Sequence, residues 1–264
     1  MRKFDKRQKM GTTRVNGSLY TNIQNKIATI EFGHPASNSF PSELLERLTN
    51  EFNKLSNDES VHVIILKSEE DRTFCAGASF DELIAIKNIE EGKEFFMGFA
   101  NVINAMRKCS KLIIGRVQGK AVGGGVGLAA ACDYTMATEA ASIKLSEFTI
   151  GIGPFVIAPA LVRKIGNTAL TELTLAAHEW KNAYWAKEKG LYAKVVDSIK
   201  ELDNEVEILA EKLASYNPEA LKKMKKVLWE RTEHWNFLLE ERAQISGELV
   251  LSDFTKKALE KFKK

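Results

Sequence analysis

The chain has 264 residues, 44% of them hydrophobic and 28% charged, with a net charge of +3, which is enough apolar content for one sizeable core and argues against a disordered protein. No apolar run approaches the roughly 18 residues of a membrane span, and the first ten residues lack the apolar stretch of a secretory signal, so a cytoplasmic protein without membrane partners is expected. Three cysteines without a CxxC pair and four histidines without ligand spacing argue against a disulfide framework and against a Cys/His metal site.

In chain order, residues 1–18 read as a basic, disordered tail. Positions 1 to 15 hold Arg2, Lys3, Lys6, Arg7, Lys9 and Arg14 against Asp5, so removing their +5 from the total of +3 leaves −2 for the rest. A solvated leader, untranslated if the chain starts at Met10, is the plain reading, and a nucleic-acid arm is the lesser one. Leu19–Gln24 and Lys26–Phe32 alternate around Asn25, which predicts a β-hairpin. Leu44, Leu45, Leu48, Phe52 and Leu55 recur at helical spacing after Pro41. A short apolar strand is predicted at Val61–Leu66, a helix-rich stretch from about Asp81 to Cys109, and another strand at Leu112–Val117. Strand, helix and strand in alternation argue for parallel pairing in an α/β fold. Beyond Lys200 the segments Glu201–Tyr216, Pro218–Glu233 and Asp253–Lys264 are charged, amphipathic and free of strand signals, so residues 201–264 are expected to be a helical region that packs on the core or supplies an oligomer interface.

The most informative block is Ala121-Val-Gly-Gly-Gly-Val-Gly-Leu-Ala-Ala-Ala-Cys-Asp133, preceded by Leu112-Ile-Ile114 and followed by a lone acid in Leu145-Ser-Glu147. Consecutive glycines at a strand-to-helix corner leave backbone N–H groups uncovered, as a site that stabilises an oxyanion requires. Arg72-Thr-Phe-Cys-Ala-Gly-Ala-Ser79 forms a second small-residue corner. Two such corners on neighbouring parallel strands can aim two N–H groups at one carbonyl oxygen, each worth about 3–4 kcal/mol to an enolate.

The ordered set His34-Pro-Ala-Ser-Asn-Ser39, Phe74-Cys-Ala-Gly-Ala78, Gly119-Lys-Ala-Val-Gly-Gly-Gly125, Ala131-Cys-Asp133, Leu145-Ser-Glu147, Ala186-Lys-Glu-Lys-Gly-Leu191 and Glu260-Lys-Phe-Lys263 resembles the crotonase (enoyl-CoA hydratase/isomerase) superfamily over about residues 19 to 264. The resemblance implies a crotonase-type ββα spiral core over 19–200, a C-terminal helical region that assembles homotrimers or homohexamers, and a coenzyme A thioester as substrate, with no permanently bound cofactor. It places the oxyanion donors at the N–H groups of Ala78 and Gly124 and the general acid/base at Glu147. Coenzyme A contacts fall on the Ala76 corner, on Arg72, and on Lys261, the last reaching a neighbouring subunit's ligand. Two positions depart from the family pattern: Gly127 stands where hydratases carry a first glutamate, and Ser79 where an aspartate is usual.

One glutamate suffices to shuttle a proton between Cα and Cγ, whereas water addition is better served by two carboxylates. On chemistry alone Gly127 therefore favours a Δ3,Δ2-enoyl-CoA isomerase. The Gly127-Leu128 pair and the segment Leu145–Gly166, with Pro154, Phe155 and Pro159, are similar to a bacterial subgroup of methylglutaconyl-CoA-like hydratases, which places a single-glutamate hydratase first and the isomerase second. An RNA-binding protein or a catalytically silent paralogue that still binds coenzyme A are the readings from another class. Gly125-Val-Gly-Leu-Ala-Ala130 also fits the dinucleotide fingerprint G-x-G-x-x-A, but Glu147 lies in a Ser-, Gly- and Pro-containing segment where that motif wants a strand end. Cys75 and Cys132 read as buried core residues and the four tryptophans as core and interface.

Overall fold

The structure, a computed structural model, describes residues 16–261, so most of the basic tail and the last three residues lie outside the described residues. The alternating segment forms β1 (Ser18–Gln24) antiparallel to β2 (Ile27–Gly33). Asn25 and Lys26 between them both have positive φ, 51° and 67°, which a tight two-residue hairpin turn requires. Next, α1 (Ser42–Ser56) buries the five apolar residues predicted from their spacing, and β3 (Val63–Ser68) pairs parallel to β2. After β4 (Thr73–Cys75) come α2 (Phe80–Ala85) and α3 (Ile89–Lys108), each started by a side chain that accepts an N–H three residues ahead: Ser79 from Glu82 and Asn88 from Glu91.

The middle of the chain runs β5 (Leu112–Val117), β6 (Lys120–Val122), α4 (Gly124–Ala131), β7 (Tyr134–Thr138) and β8 (Ser142–Lys144). A 3-10 turn at Glu147–Ile150 leads to α5 (Ala158–Leu175), which has Pro159 in its first turn and a kink at Gly166. The spiral closes with β9 (Lys181–Asn182), α6 (Ala183–Glu188) and β10 (Lys194–Val196). Four helices finish the chain: α7 (Ile199–Ser215), α8 (Pro218–Leu228), α9 (Trp235–Leu249) and α10 (Asp253–Glu260).

After the β1–β2 hairpin, each successive strand pair donates one strand to each of two sheets, β1-β2-β3-β5-β7-β10 and β4-β6-β8-β9. The larger sheet is parallel beyond its opening hairpin and is covered on both faces, which is why Val63–Leu66 and Leu112–Ile114 read as unbroken apolar runs. Alternate residues of these strands face either α7, through Val63, Ile65 and Ile114, or the main core, through Ile64, Leu66 and Ile113. This is the crotonase-type α/β spiral with C-terminal helices that the sequence resemblance implied.

Two features join the last helices to the spiral. Asp133, whose side chain is 4% exposed, receives Lys225 Nζ at 2.6 Å, Trp229 Nε1 at 2.7 Å and the Ile113 N–H at 2.7 Å, which fixes α8 against β5. Helix α9 lies so close to α3 that a Cβ on Gly92 would stand 2.8 Å from the Gly247 Cα. Helix α9 falls within the helical region expected over 201–264, although the pattern marks no separate segment for it; its buried side runs Trp235, Leu239, Ala243, Ser246 and Gly247, large at its start and small at its end.

Candidate active site

Strands β4 and β6 run parallel with Cys75 beside Ala121, so the corners that end them lie next to each other. Gly77 and Gly123 turn the chain there at φ of 91° and 52°, conformations that L side chains rarely adopt. A Cβ on Gly77 would stand 3.1 Å from the Val122 carbonyl and 3.5 Å from the Gly124 nitrogen, a measure of how near the corners come. Gly124 opens α4, where an N–H has no intrahelical acceptor. The first corner is held by the Phe40 N–H donating to the Gly77 carbonyl (2.8 Å) and the Ser79 N–H donating to the Phe40 carbonyl (2.9 Å). The N–H of Ala78 between them has no backbone acceptor among the described residues.

Glu147 follows β8 and begins the 3-10 turn, which Gly151 ends in the left-handed conformation at φ 83°. Its carboxyl folds back toward the glycine corner, with Oε1 2.9 Å from where a Gly123 Cβ would stand. The residue reaches the surface in part, but Oε2 is buried without a hydrogen-bond partner. Enclosure dominates its electrostatics: loss of water pushes the carboxyl up from 4.5 to about 7, offset only slightly by its own backbone N–H.

A cavity of about 400 Å³ opens between these groups. Ala76, Ala78, Gly124 and Glu147 all line it, together with Phe155, so the structure brings together four of the six predicted site residues. Its other wall is apolar, formed by Leu83, Phe95, Phe96, Phe99 and Ile152. Arg72, exposed just before β4, and Lys261, exposed at the end of α10, do not line it. A wider hollow of about 600 Å³ bounded by Arg163, Leu228, Arg231, Trp235 and Arg242 lies apart from both N–H corners.

Both departures from the family pattern have local explanations. Ser79 caps α2, its hydroxyl oxygen accepting the Glu82 N–H at 3.4 Å. At Gly127 a Cβ would stand 2.3 Å from Ile157 Cγ2 and 2.7 Å from Ile157 Cβ, so the isoleucine already fills the space that a side chain would enter. Ile157 and Ser246 of α9 line the cavity without a signal in the sequence, the first because an aliphatic residue carries no chemical signature and the second because a lone serine in a helical region carries none either.

Cys75 and Cys132 are core residues, their thiols pushed up to about 12 by burial. Trp229 and Trp235 pack edge to face in the core, while Trp180 is exposed. The carboxyl of Glu147 turns in on the cavity instead of standing at a strand end, which removes the dinucleotide fingerprint's acid. No cluster of three or more His, Cys, Asp or Glu side chains able to hold a metal occurs among the described residues.

The spiral of paired short strands, wound so that two glycine-rich corners face one carboxylate, is the architecture of the crotonase superfamily of enzymes. It matches the crystal structure of an enoyl-CoA hydratase from Bacillus halodurans with a TM-score of 0.86, at 23% identity over 92% of this chain and 99% of that one. The chain belongs to the enoyl-CoA hydratase/isomerase family, whose sequence pattern it matches over residues 22–263. It is 30% identical over 207 residues to the short-chain-enoyl-CoA hydratase of Clostridium acetobutylicum, covering 78% of each chain. It is also 31% identical over 189 residues to the peroxisomal Delta(3,5)-Delta(2,4)-dienoyl-CoA isomerase of Arabidopsis thaliana, covering 66% of each.

Proposed function

We propose that the chain is a Δ3,Δ2-enoyl-CoA isomerase with Glu147 as its single proton carrier. Ionised Glu147 takes a proton from Cα of a 3-enoyl thioester while the thioester oxygen gains negative charge between the N–H groups of Ala78 and Gly124. The electrons of the 3,4 double bond then take the same proton back at Cγ, leaving the 2,3 double bond. The observation that carries this reading is the enclosed carboxyl of Glu147, its Oε2 without a partner, raised to about 7 where both proton removal and return are efficient near neutral pH.

This order reverses the one expected from sequence. Hydration of a 2-enoyl-CoA is the second reading, supported by the hydratase name of the Clostridium acetobutylicum relative. Steady-state assays with 3-enoyl-, crotonyl- and 3-methylglutaconyl-CoA separate the two. Replacement of Glu147 by Gln is expected to lower either activity by about 10²–10⁴-fold, and retained turnover would sink both readings.

Coenzyme A is taken as part of the substrate, with Arg72 and the Ala76 corner on its phosphates and pantetheine, and Lys261 reaching a neighbouring protomer's ligand. Assembly into trimers or hexamers is supported by apolar side chains left outside on the last helices, Phe237 at 80% exposure and Leu228 at 41%. No helix among the described residues is long and apolar enough to cross a membrane, in keeping with a cytoplasmic enzyme.

A further inference from the structure

Resting on the isomerase reading above, we infer that Ile157 protects the 2-enoyl thioester from hydration by denying water a place beside Gly127, in the cavity that Glu147 also lines. Water adds to Cβ only if it is held there with its lone pair aimed, and a water confined in a cavity needs two to four polar partners. Glu147 supplies one. Along the direction in which Gly127 would project a side chain stand the Cγ2 and Cβ of Ile157, which lines the same cavity.

The neighbours of Ile157 in the cavity wall, Phe155 and Val156, are apolar as well. Two of the nearby hydroxyls have their protons committed, Thr149 Oγ1 donating to the Ser146 carbonyl at 2.6 Å and Ser246 Oγ to the Arg242 carbonyl at 3.1 Å. Ser146 is next to Glu147 in the chain, on the carboxylate's own side. Lys144 also lines the cavity, with its Nζ 5.7 Å from the ring centroid of Trp180, which does not; the Cβ of a 2-enoyl thioester formed here therefore meets no held water on the Ile157 side. Isomerisation breaks a C–H bond at Cα and makes one at Cγ with no co-reactant, whereas hydration must form the O–Cβ bond from a water that Ile157 displaces.

The test is the ratio of hydration to isomerisation within one preparation, measured with 2-enoyl- and 3-enoyl-CoA of equal chain length, so that a changed fraction of folded enzyme cancels. Three variants are compared with the wild type: Ile157→Val, Ile157→Thr, which keeps nearly the valine shape and adds a hydroxyl, and the double variant Gly127→Glu with Ile157→Gly. The ratio is expected to stay near wild type in Ile157→Val and to rise about tenfold or more in the other two. If the double variant does not fold, the Val and Thr pair carries the comparison. An active isomerase whose ratio stays within about twofold in Ile157→Thr and every other folded variant overturns the role of Ile157 alone. A wild-type enzyme that hydrates faster than it isomerises overturns this role and the isomerase reading together.

Discussion

Replacing Glu147 by glutamine should make the protein more stable, and only at neutral to alkaline pH. In the folded chain the carboxyl titrates near 7 instead of 4.5 because burial removes its water, so the folded state holds the proton over a range in which the unfolded chain has lost it. Below pH 4.5 both states are protonated and the residue adds no pH dependence. From about 4.5 to 7 stability falls as pH rises, and above 7 it is level again. The gap between 4.5 and 7, at about 1.4 kcal/mol per pH unit, amounts to about 3 kcal/mol. Glutamine keeps the shape without the ionisation, so its advantage over the wild type should grow from near zero at pH 4.5 to about 3 kcal/mol at pH 8, or roughly 6–12 °C in melting temperature. Paired melts of the two proteins at both pH values cancel every other titrating group. An advantage that is the same at both pH values would refute the account of the carboxyl as desolvated and unpartnered. In the wild type, kcat/KM should rise with pH to a plateau through an apparent pKa near 7, because the ionised form starts the reaction.

Other substitutions test the supports of the site. Gly123→Ala combines a φ of 52° with a Cβ 2.9 Å from Glu147 Oε1, and the displaced carboxyl should lower kcat by about 100-fold, read in steady-state assays. The single change Gly127→Glu drives a side chain into Ile157 and should cost about 1–3 kcal/mol or more by chemical denaturation, without creating a hydratase. Asp133→Ala leaves the Lys225 ammonium buried and unpaired and should destabilise by about 3–5 kcal/mol, whereas joint replacement of both partners by apolar residues should recover most of that loss. Arg72→Ala should raise KM for acyl-CoA roughly fivefold at low salt, an effect of about 1 kcal/mol that fades as salt rises, and leave KM for the acyl-pantetheine thioester unchanged.

What could be read in the sequence was whatever repeats locally or carries a chemical signature. The β1–β2 hairpin follows from alternation around Asn25, and α1 from five apolar residues on one face. The corners at Gly77 and Gly123 announce themselves because only glycine holds those φ values cheaply. Ala76, Ala78, Gly124 and Glu147 converge because the spiral lays the short strands β4, β6 and β8 side by side. Hidden were features that depend on a partner far along the chain. The close seat of α9 on α3 has no local signature, because Gly247 meets Gly92, 155 positions earlier in the sequence. Asp133 looked like one more motif residue, although its acceptors hold Lys225 from α8 and Trp229 just after it.

The same long-range dependence explains how Gly127 and Glu147 are linked. Absence of an acid at 127 is visible in the sequence, but its consequence depends on what fills the space, and Ile157 arrives from the loop before α5. A water-filled gap there would solvate the Glu147 carboxyl and let its pKa relax toward 4.5, whereas an isoleucine keeps it dry. Substituting one carboxylate by an aliphatic wall removes a holder of water in the same cavity whose enclosure raises the remaining carboxyl to about 7. The lost holder and the raised carboxyl favour the same chemistry, since a proton carrier poised near neutrality without a held nucleophile returns its proton to carbon. Opening the wall with Ile157→Thr should accordingly lower the pKa seen in kcat/KM as well as raise the share of hydration. If the product ratio changed while the pH profile stayed fixed, the drying of Glu147 would have to come from Phe155 and the aromatic wall of α3 instead.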